Sequence, residues 1–243
     1  MTNESASRVA VAFARGMSRS PSVGWCAVCA EFLAVSGAGI TIMGEGVGGP
    51  LCASSPAVGA LEDAQFTVGE GPCPDAFRSG RSVHTPRFDR RASDRWPTFA
   101  PLAAEHGINA VFAYPLTADG ARVGVLSLYQ SEAGALTDGQ HTDSVAMVQV
   151  LAETVLSLQD DAPSGSLAAE IDDVIGYRAE IYQASGIIAI QLSITAADAL
   201  LRLRAYAFAH ERPLDVMASA VVDGRLRLDD DDRPETIGKS TQR

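Results

Sequence analysis

Lysine is almost missing from this chain: Lys239 is the single one among 243 residues, and every other basic side chain is arginine. Acidic residues exceed basic ones, giving a formal net charge of −11. No global field therefore invites nucleic acid, and any such contact must use a local basic patch. No apolar run approaches the roughly 20 residues that a membrane span needs. The opening stretch MTNESASRVAVAFARG lacks the charged-then-apolar pattern of a signal peptide, so the expectation is a soluble, cytoplasmic protein without membrane contact. Four cysteines, Cys26, Cys29, Cys52 and Cys73, are too few for a disulfide scaffold, and reduced thiols are the default. His84, His106, His141 and His210 lie far apart in the chain and show no metal-ligand spacing. No metal or cofactor is expected. Aromatics are few, but apolar content is ample for real cores.

The order of patterns suggests two domains. Residues 5–35 read as helix in two pieces, broken near Ser20-Pro21. GAGITIM (37–43) reads as a strand, followed by the Gly-rich GEGVGGP and a strand-like LCASS. Phe66 to Val68 reads as another strand, GEGPCPDAFRSG as a loop and short helix, and 93–107 as a helix ending at Gly107. NAVFAYPLT and RVGVLSLYQ are two strands joined through Asp119-Gly120, a strong hairpin signal. Residues 137–159 form a long helix with an apolar stripe at Val148, Leu151, Val155 and Leu158. DDAPSGS, 160–166, has linker composition. Beyond it, 167–192, 196–210 and 213–223 read as helices, and 227–243 as a disordered acidic tail.

The first C-terminal helix places Leu167, Ile171, Val174, Arg178, Ile181, Ser185, Ile188 and Leu192 at coiled-coil-like spacing. That seam serves either its own bundle or a parallel dimer through the long helices. In the second helix Thr195 is a good N-cap, with Asp198 three residues on. Ala199, Leu200, Leu203, Tyr206, Ala207 and His210 share one face. Leu201, Arg204 and Phe208 form a second flank, which predicts contact on two sides. Arg202, Ala205, Ala209 and Arg212 remain. A small-residue floor edged by arginines suits close approach of a phosphate backbone; it equally suits a solvated face. Ser185-Gly186 admits close helix packing or close approach of RNA.

The block QASGIIAIQLSITAADALLRLRAYAFAHERPLDVMASAVVDGRL resembles the ANTAR domain, the small three-helix RNA-binding module of bacterial transcription antiterminators. Gln183-Ala184, Gly186-Ile187, Thr195 to Ala199, Leu203 to Ala207, Arg212-Pro213-Leu214, Val216, Ala218 and Val221-Val222 carry the likeness. The resemblance favours the RNA reading of the arginine-edged face and implies RNA contacts at Gln183, Ala184, Ser185, Arg202, Arg204, Ala205, Tyr206, Ala209 and Arg212. One position departs: Ser185 stands where the family has lysine. Such modules grip RNA hairpin loops, often a tandem pair through a homodimer.

Residues 22–159 resemble a GAF domain, a small-molecule sensor, through the helix before GAGITIM, the GEGPCPDAFRSGRSV run, a long mid-domain helix, the hairpin and the final long helix. The likeness implies a central antiparallel sheet with a ligand cavity on one face and dimerising helices on the other. An unknown ligand would meet Phe66, Cys73, Phe77, Trp96, Phe112 and Tyr114. GEGPCPDAF and DRRASDRWP would form a lid, with Arg90, Arg91 and Arg95 solvated or attracting an anion. Cys26 and Cys29 read as inert core thiols within a helix, and Cys73, between two prolines, as a more exposed one.

The expected fold is thus α+β: a GAF-like sensor over 1–159, its core from about 22, a linker at 160–166, and an ANTAR-like all-α three-helix domain over 167–226. The expected protein is not an enzyme but a signal-responsive RNA-binding regulator, acting by transcription antitermination or control of a ribosome-binding site. The alternatives are a GAF-type redox enzyme or sensor using Cys52 or Cys73, and a protein-interaction module.

Overall fold

In a computed structural model of the protein, residues 5, 7–12, 23–43, 48–160, 179–210 and 212–228 are described. They fall into two compact units, Met1–Ile175 and Gly176–Arg243. The expected linker beyond Asp160, the part of the expected 167–192 helix before Ala179 and the expected acidic tail from Asp229 lie outside the described residues.

The first unit is built on an antiparallel five-stranded sheet in the order β2-β1-β5-β4-β3. The strands are β1 (Gly37–Met43), β2 (Gly48–Ala53), β3 (Val83–Thr85), β4 (Ala110–Ala118) and β5 (Ala121–Gln130). Asp119 and Gly120 both take positive φ, 49° and 80°, as a two-residue hairpin turn requires. The period-2 alternation of the strands feeds two different faces. Ala38, Ile40, Phe112, Tyr114, Leu116, Leu126 and Leu128 join α1 (Val23–Phe32) and α6 (Asp138–Asp160) in one apolar core. Val111, Ala113, Val125 and Tyr129 face the other way. There they meet α2 (Pro56–Val68), α3 (Pro72–Ser79), α4 (Arg90–Arg95) and α5 (Phe99–Glu105).

Two sequence expectations change here. Phe66 to Val68 is not a strand but the last turn of α2. Ser55 accepts a hydrogen bond from the Val58 N–H, Pro56 opens the helix, and Gly69 closes it at φ 75°. These start and stop signals outweigh the local β-propensity of Phe-Thr-Val. The helix expected over 93–107 is two short ones, α4 and α5, broken at Trp96-Pro97, because proline disfavours the helical conformation of the residue before it.

The second face is organised by a buried carboxylate. Glu62, 1% exposed, reaches from α2 under the sheet. It accepts from the Thr41 hydroxyl at 2.5 Å and the Tyr129 hydroxyl at 2.5 Å. Gln65 donates to Tyr129 at 2.9 Å and accepts from the Cys73 N–H at 2.8 Å. Gly39 makes room: a Cβ there would come within 2.7 Å of Glu62.

In the second unit α7 (Ala179–Leu192), α8 (Ala196–Ala209) and α9 (Leu214–Val222) pack on one another. Thr195 caps α8 as expected, accepting from the Asp198 N–H at 3.1 Å. Ile181, Ala184, Ile188, Ala199, Leu203, Ala207, Leu214, Ala218 and Val221 form the interior. No helix among the described residues is long and apolar enough to cross a membrane.

Tyr129→Phe removes one donor from a buried carboxylate and the acceptor of Gln65. The expected loss is about 1–3 kcal/mol, read as a lowered urea midpoint with an unchanged slope.

Candidate functional site

The six residues expected to line one ligand cavity are divided by the sheet. Phe112 and Tyr114 point to the α1/α6 side. Cys73 and Phe77 pack on Ala113 and Val125 on the opposite side, and Trp96 packs there with Val58, Leu61 and Phe99. Phe66 is buried on α2. Strand alternation separates Phe112 and Tyr114 from the rest, since neighbouring β4 residues face opposite ways. The two stretches expected as a lid are pinned to each other instead. Asp75 of α3 accepts from Trp96 Nε1 at 3.1 Å and pairs with Arg95 at 2.7 Å. Glu70 caps the start of α5, accepting from the Thr98 and Phe99 N–H groups at 2.6 and 2.8 Å.

The cysteines also depart from expectation. Cys26 of α1 and Cys52 of β2 form a disulfide, with Cα atoms 5.9 Å apart; the helix lies directly on that strand. Cys26 is therefore not a free core thiol, and Cys52 does not pair with Cys73. Cys73 is 1% exposed, because its flanking prolines sit at the start of α3 rather than in an open loop. Burial, reinforced by the charge of Glu62, pushes its thiol well above the usual range. Burial raises the Cys29 thiol to about 12. Neither is poised as a thiolate nucleophile.

A pocket of about 490 Å³ opens on the α6 side of the sheet, lined by His84, Pro86, Phe112, Tyr114, Ala135, Leu136, Asp138 and His141. The β3–β4 register sets His84 opposite Phe112, and the first turns of α6 supply Asp138 and His141. The His84 and His141 rings stand edge to face with centroids 5.6 Å apart, and the Tyr114 hydroxyl meets His141 Nδ1 at 3.0 Å. Burial raises Tyr114 to about 12, so it remains a phenol. The His84 imidazole is lowered from 6.5, first by burial and then by His141. A second hollow of about 200 Å³ shares His84 and Pro86 with the first and adds Arg87, Asp89, Arg91, Arg95 and Trp96. Sequence reading missed the histidine pair: 57 positions apart, the two carry no local signal, and only the strand register joins them. Among the described residues no group of three or more His, Cys, Asp or Glu could hold a metal ion.

On the second unit, Ala184 and Ser185 turn into the interior, at 0% and 2% exposure. Ser185 donates back to the Ile181 carbonyl at 2.7 Å. These two expected RNA contacts therefore lie on the packing face of α7. Gln183 is exposed. A Cβ at Gly186 would meet nothing within 4 Å, so helix packing does not demand that glycine. Burial draws the Arg204 guanidinium down from its ordinary range, opposed by Tyr182. Tyr206 stacks under His210 with centroids 3.9 Å apart. Arg202 and Ala205 are half-buried, Ala209 and Arg212 exposed. The second flank is not covered as expected: Leu201 and Phe208 are 62% and 71% exposed.

The family model for the GAF domain matches residues 22–156. No curated protein matches the chain. Among solved structures it is similar to the GAF domain of an Acinetobacter phosphoenolpyruvate-protein phosphotransferase, at 11% identity over 68% of this chain and 99% of that one, TM-score 0.48. The GAF domain of the Coxiella burnetii phosphotransferase gives 12%, 65%, 98% and 0.48 for the same quantities. Free methionine-R-sulfoxide reductase from Neisseria meningitidis, in complex with its substrate, gives 14%, 63%, 91% and 0.43.

Two outcomes are expected. A thiol reagent titrates no cysteine in the native protein and two, Cys29 and Cys73, after denaturation without reductant. Proton NMR places the His84 pKa below 6.5, and His141→Asn moves it upward. Because the unfolded chain takes up that proton first, His84 makes the fold less stable as pH falls below 6.5.

Proposed function

The chain belongs to the GAF domain family, and from that premise we propose that it is a signal-responsive RNA-binding regulator. The GAF unit senses, and the C-terminal helices bind RNA hairpin loops as an ANTAR-like output. Binding then changes transcription antitermination or access to a ribosome-binding site. No covalent chemistry is needed: a ligand acts by binding one arrangement of the protein better than another.

The observation that carries the RNA reading is the outer strip of α8. At 100° per residue, Phe208, Leu201, Ala205, Ala209 and Arg202 run across one face, and Arg212 follows just beyond the helix. An exposed phenylalanine is costly in water and useful beside arginines, because an unstacked base can lie on its ring while phosphates take the guanidinium groups. The alanines between them leave room for a nucleotide chain to come close. This composition also answers the net charge of −11: the basic patch is local, as a small loop requires and a long duplex does not.

A short RNA with two hairpins provides the test. Arg202→Ala with Arg212→Ala is expected to weaken binding about tenfold or more and to flatten the salt dependence by about 0.7 per lost phosphate contact. Phe208→Ala is expected to cost about 1–3 kcal/mol of affinity with the salt slope unchanged. Retention of full affinity by both folded variants, judged by circular dichroism, would assign α8 to a protein partner or to solvent.

A further inference from the structure

The two hollows beside His84 have complementary chemistry. The larger is walled by rings: Phe112 and Tyr114 form its floor, and His84 and His141 stand at its rim. Ring centroids lie 5.1 Å apart for His84–Tyr114 and 5.7 Å for His84–Phe112. Its volume, about 490 Å³, falls within the range that small organic ligands occupy. The smaller, about 200 Å³, is walled by arginines. Their commitments differ. Arg95 is held by Asp75 at 2.7 Å and lies over the Trp96 ring at 5.0 Å. Arg87 and Arg91 have no ion-pair or hydrogen-bond partner for their side chains among the described residues. The acidic group beside them, Asp89, is engaged in capping α4 through the Ala92 N–H at 3.0 Å.

We propose that the adjoining hollows form one site for a small aromatic carboxylic acid, its ring against His84, Tyr114 and His141 and its carboxylate on Arg87 and Arg91. Aromatic walls accept a planar ring edge-on or offset. Guanidinium groups offer paired donors in a plane that matches a carboxylate. Asp138, on the rim of the larger hollow, repels an anion and so sets the orientation, with the ring toward α6 and the charge toward α4. An amine would meet the reverse pattern, attracted by Asp138 and repelled by Arg87 and Arg91.

If the chain is the RNA-binding regulator proposed for it, the site also gives the sensing half of that function a physical lever. Asp138 and His141 belong to the first turns of α6, whose 23 residues run to Asp160 at the end of the described part of the unit. A ligand that packs on His141 touches the helix leading toward the second unit in the chain. Binding of the acid itself does not depend on RNA.

Calorimetry on the full chain without RNA tests the site, with 2-naphthoate as probe and acetate, 2-naphthalenemethanol and 2-naphthylmethylamine as comparators. The expected result is saturable naphthoate binding that shifts the His84 and His141 ring protons in NMR, with each comparator at least about tenfold weaker. Arg87→Ala with Arg91→Ala is expected to lower affinity about tenfold with the melting temperature unchanged, since both side chains are exposed. His84→Ala is expected to weaken naphthoate and leave acetate unaffected. Absence of binding at millimolar naphthoate, full affinity in the double arginine variant, or acetate binding as well as naphthoate each overturns the proposal. RNA binding is measured separately, so failure here leaves the α8 reading standing.

Discussion

A carboxylate beneath a sheet is expensive unless every lone pair is met, and the first unit is arranged around meeting those of Glu62. Thr41 comes from β1, Tyr129 from β5, and Gln65 passes the chain of hydrogen bonds on to the backbone of Cys73 at the start of α3. Four elements are thereby held at one spacing. The glycine at position 39 is the counterpart on the strand, since any side chain would occupy the space of Glu62. Burial and the same charge push the Tyr129 hydroxyl well above its ordinary range, so it stays a donor. Around that network this face is filled by apolar side chains of α2, α4 and α5 packed on Val111 and Tyr129, and the larger hollow opens on the opposite, α6 side of the sheet, beside β3.

Much of this fold was legible because its signals are local. The Asp119-Gly120 turn, the alternation of the strands on either side of it and the long helix after Thr137 need only neighbours in sequence. The errors were also local in origin. Phe66 to Val68 has strand-like composition inside a helix whose start lies ten residues earlier, at Ser55-Pro56. Trp96-Pro97 divides a stretch that its periodicity alone would join. What sequence could not supply was pairing at a distance. The Cys26–Cys52 bond depends on α1 lying on β2, and the His84–His141 contact depends on β3 adding to the outer edge of β4.

The candidate sites were legible to different degrees for the same reason. The α8 strip is one helix face, so spacing alone collects Arg202, Ala205 and Ala209. On α7, Ala184 and Ser185 follow the heptad seam into the interior, because a residue pattern alone does not say which side chains point outward. The expected cavity failed on strand alternation, which places Phe112 and Tyr114 on one surface and Cys73 and Phe77 on the other. The first unit's candidate site is assembled by topology, whereas the second unit's candidate strip is collected by helical period.

The bond between Cys26 and Cys52 spans 26 positions and so closes a loop in the unfolded chain. In the chain-entropy account a loop of that length is worth about 3.5 kcal/mol of native-state stability. That amount is comparable to a large share of what a domain possesses in total. Oxidised and reduced forms are thus two thermodynamic species with the same sequence. A melting curve recorded with dithiothreitol and one recorded without it describe different molecules, and the redox potential of the surroundings sets which of them is the working protein.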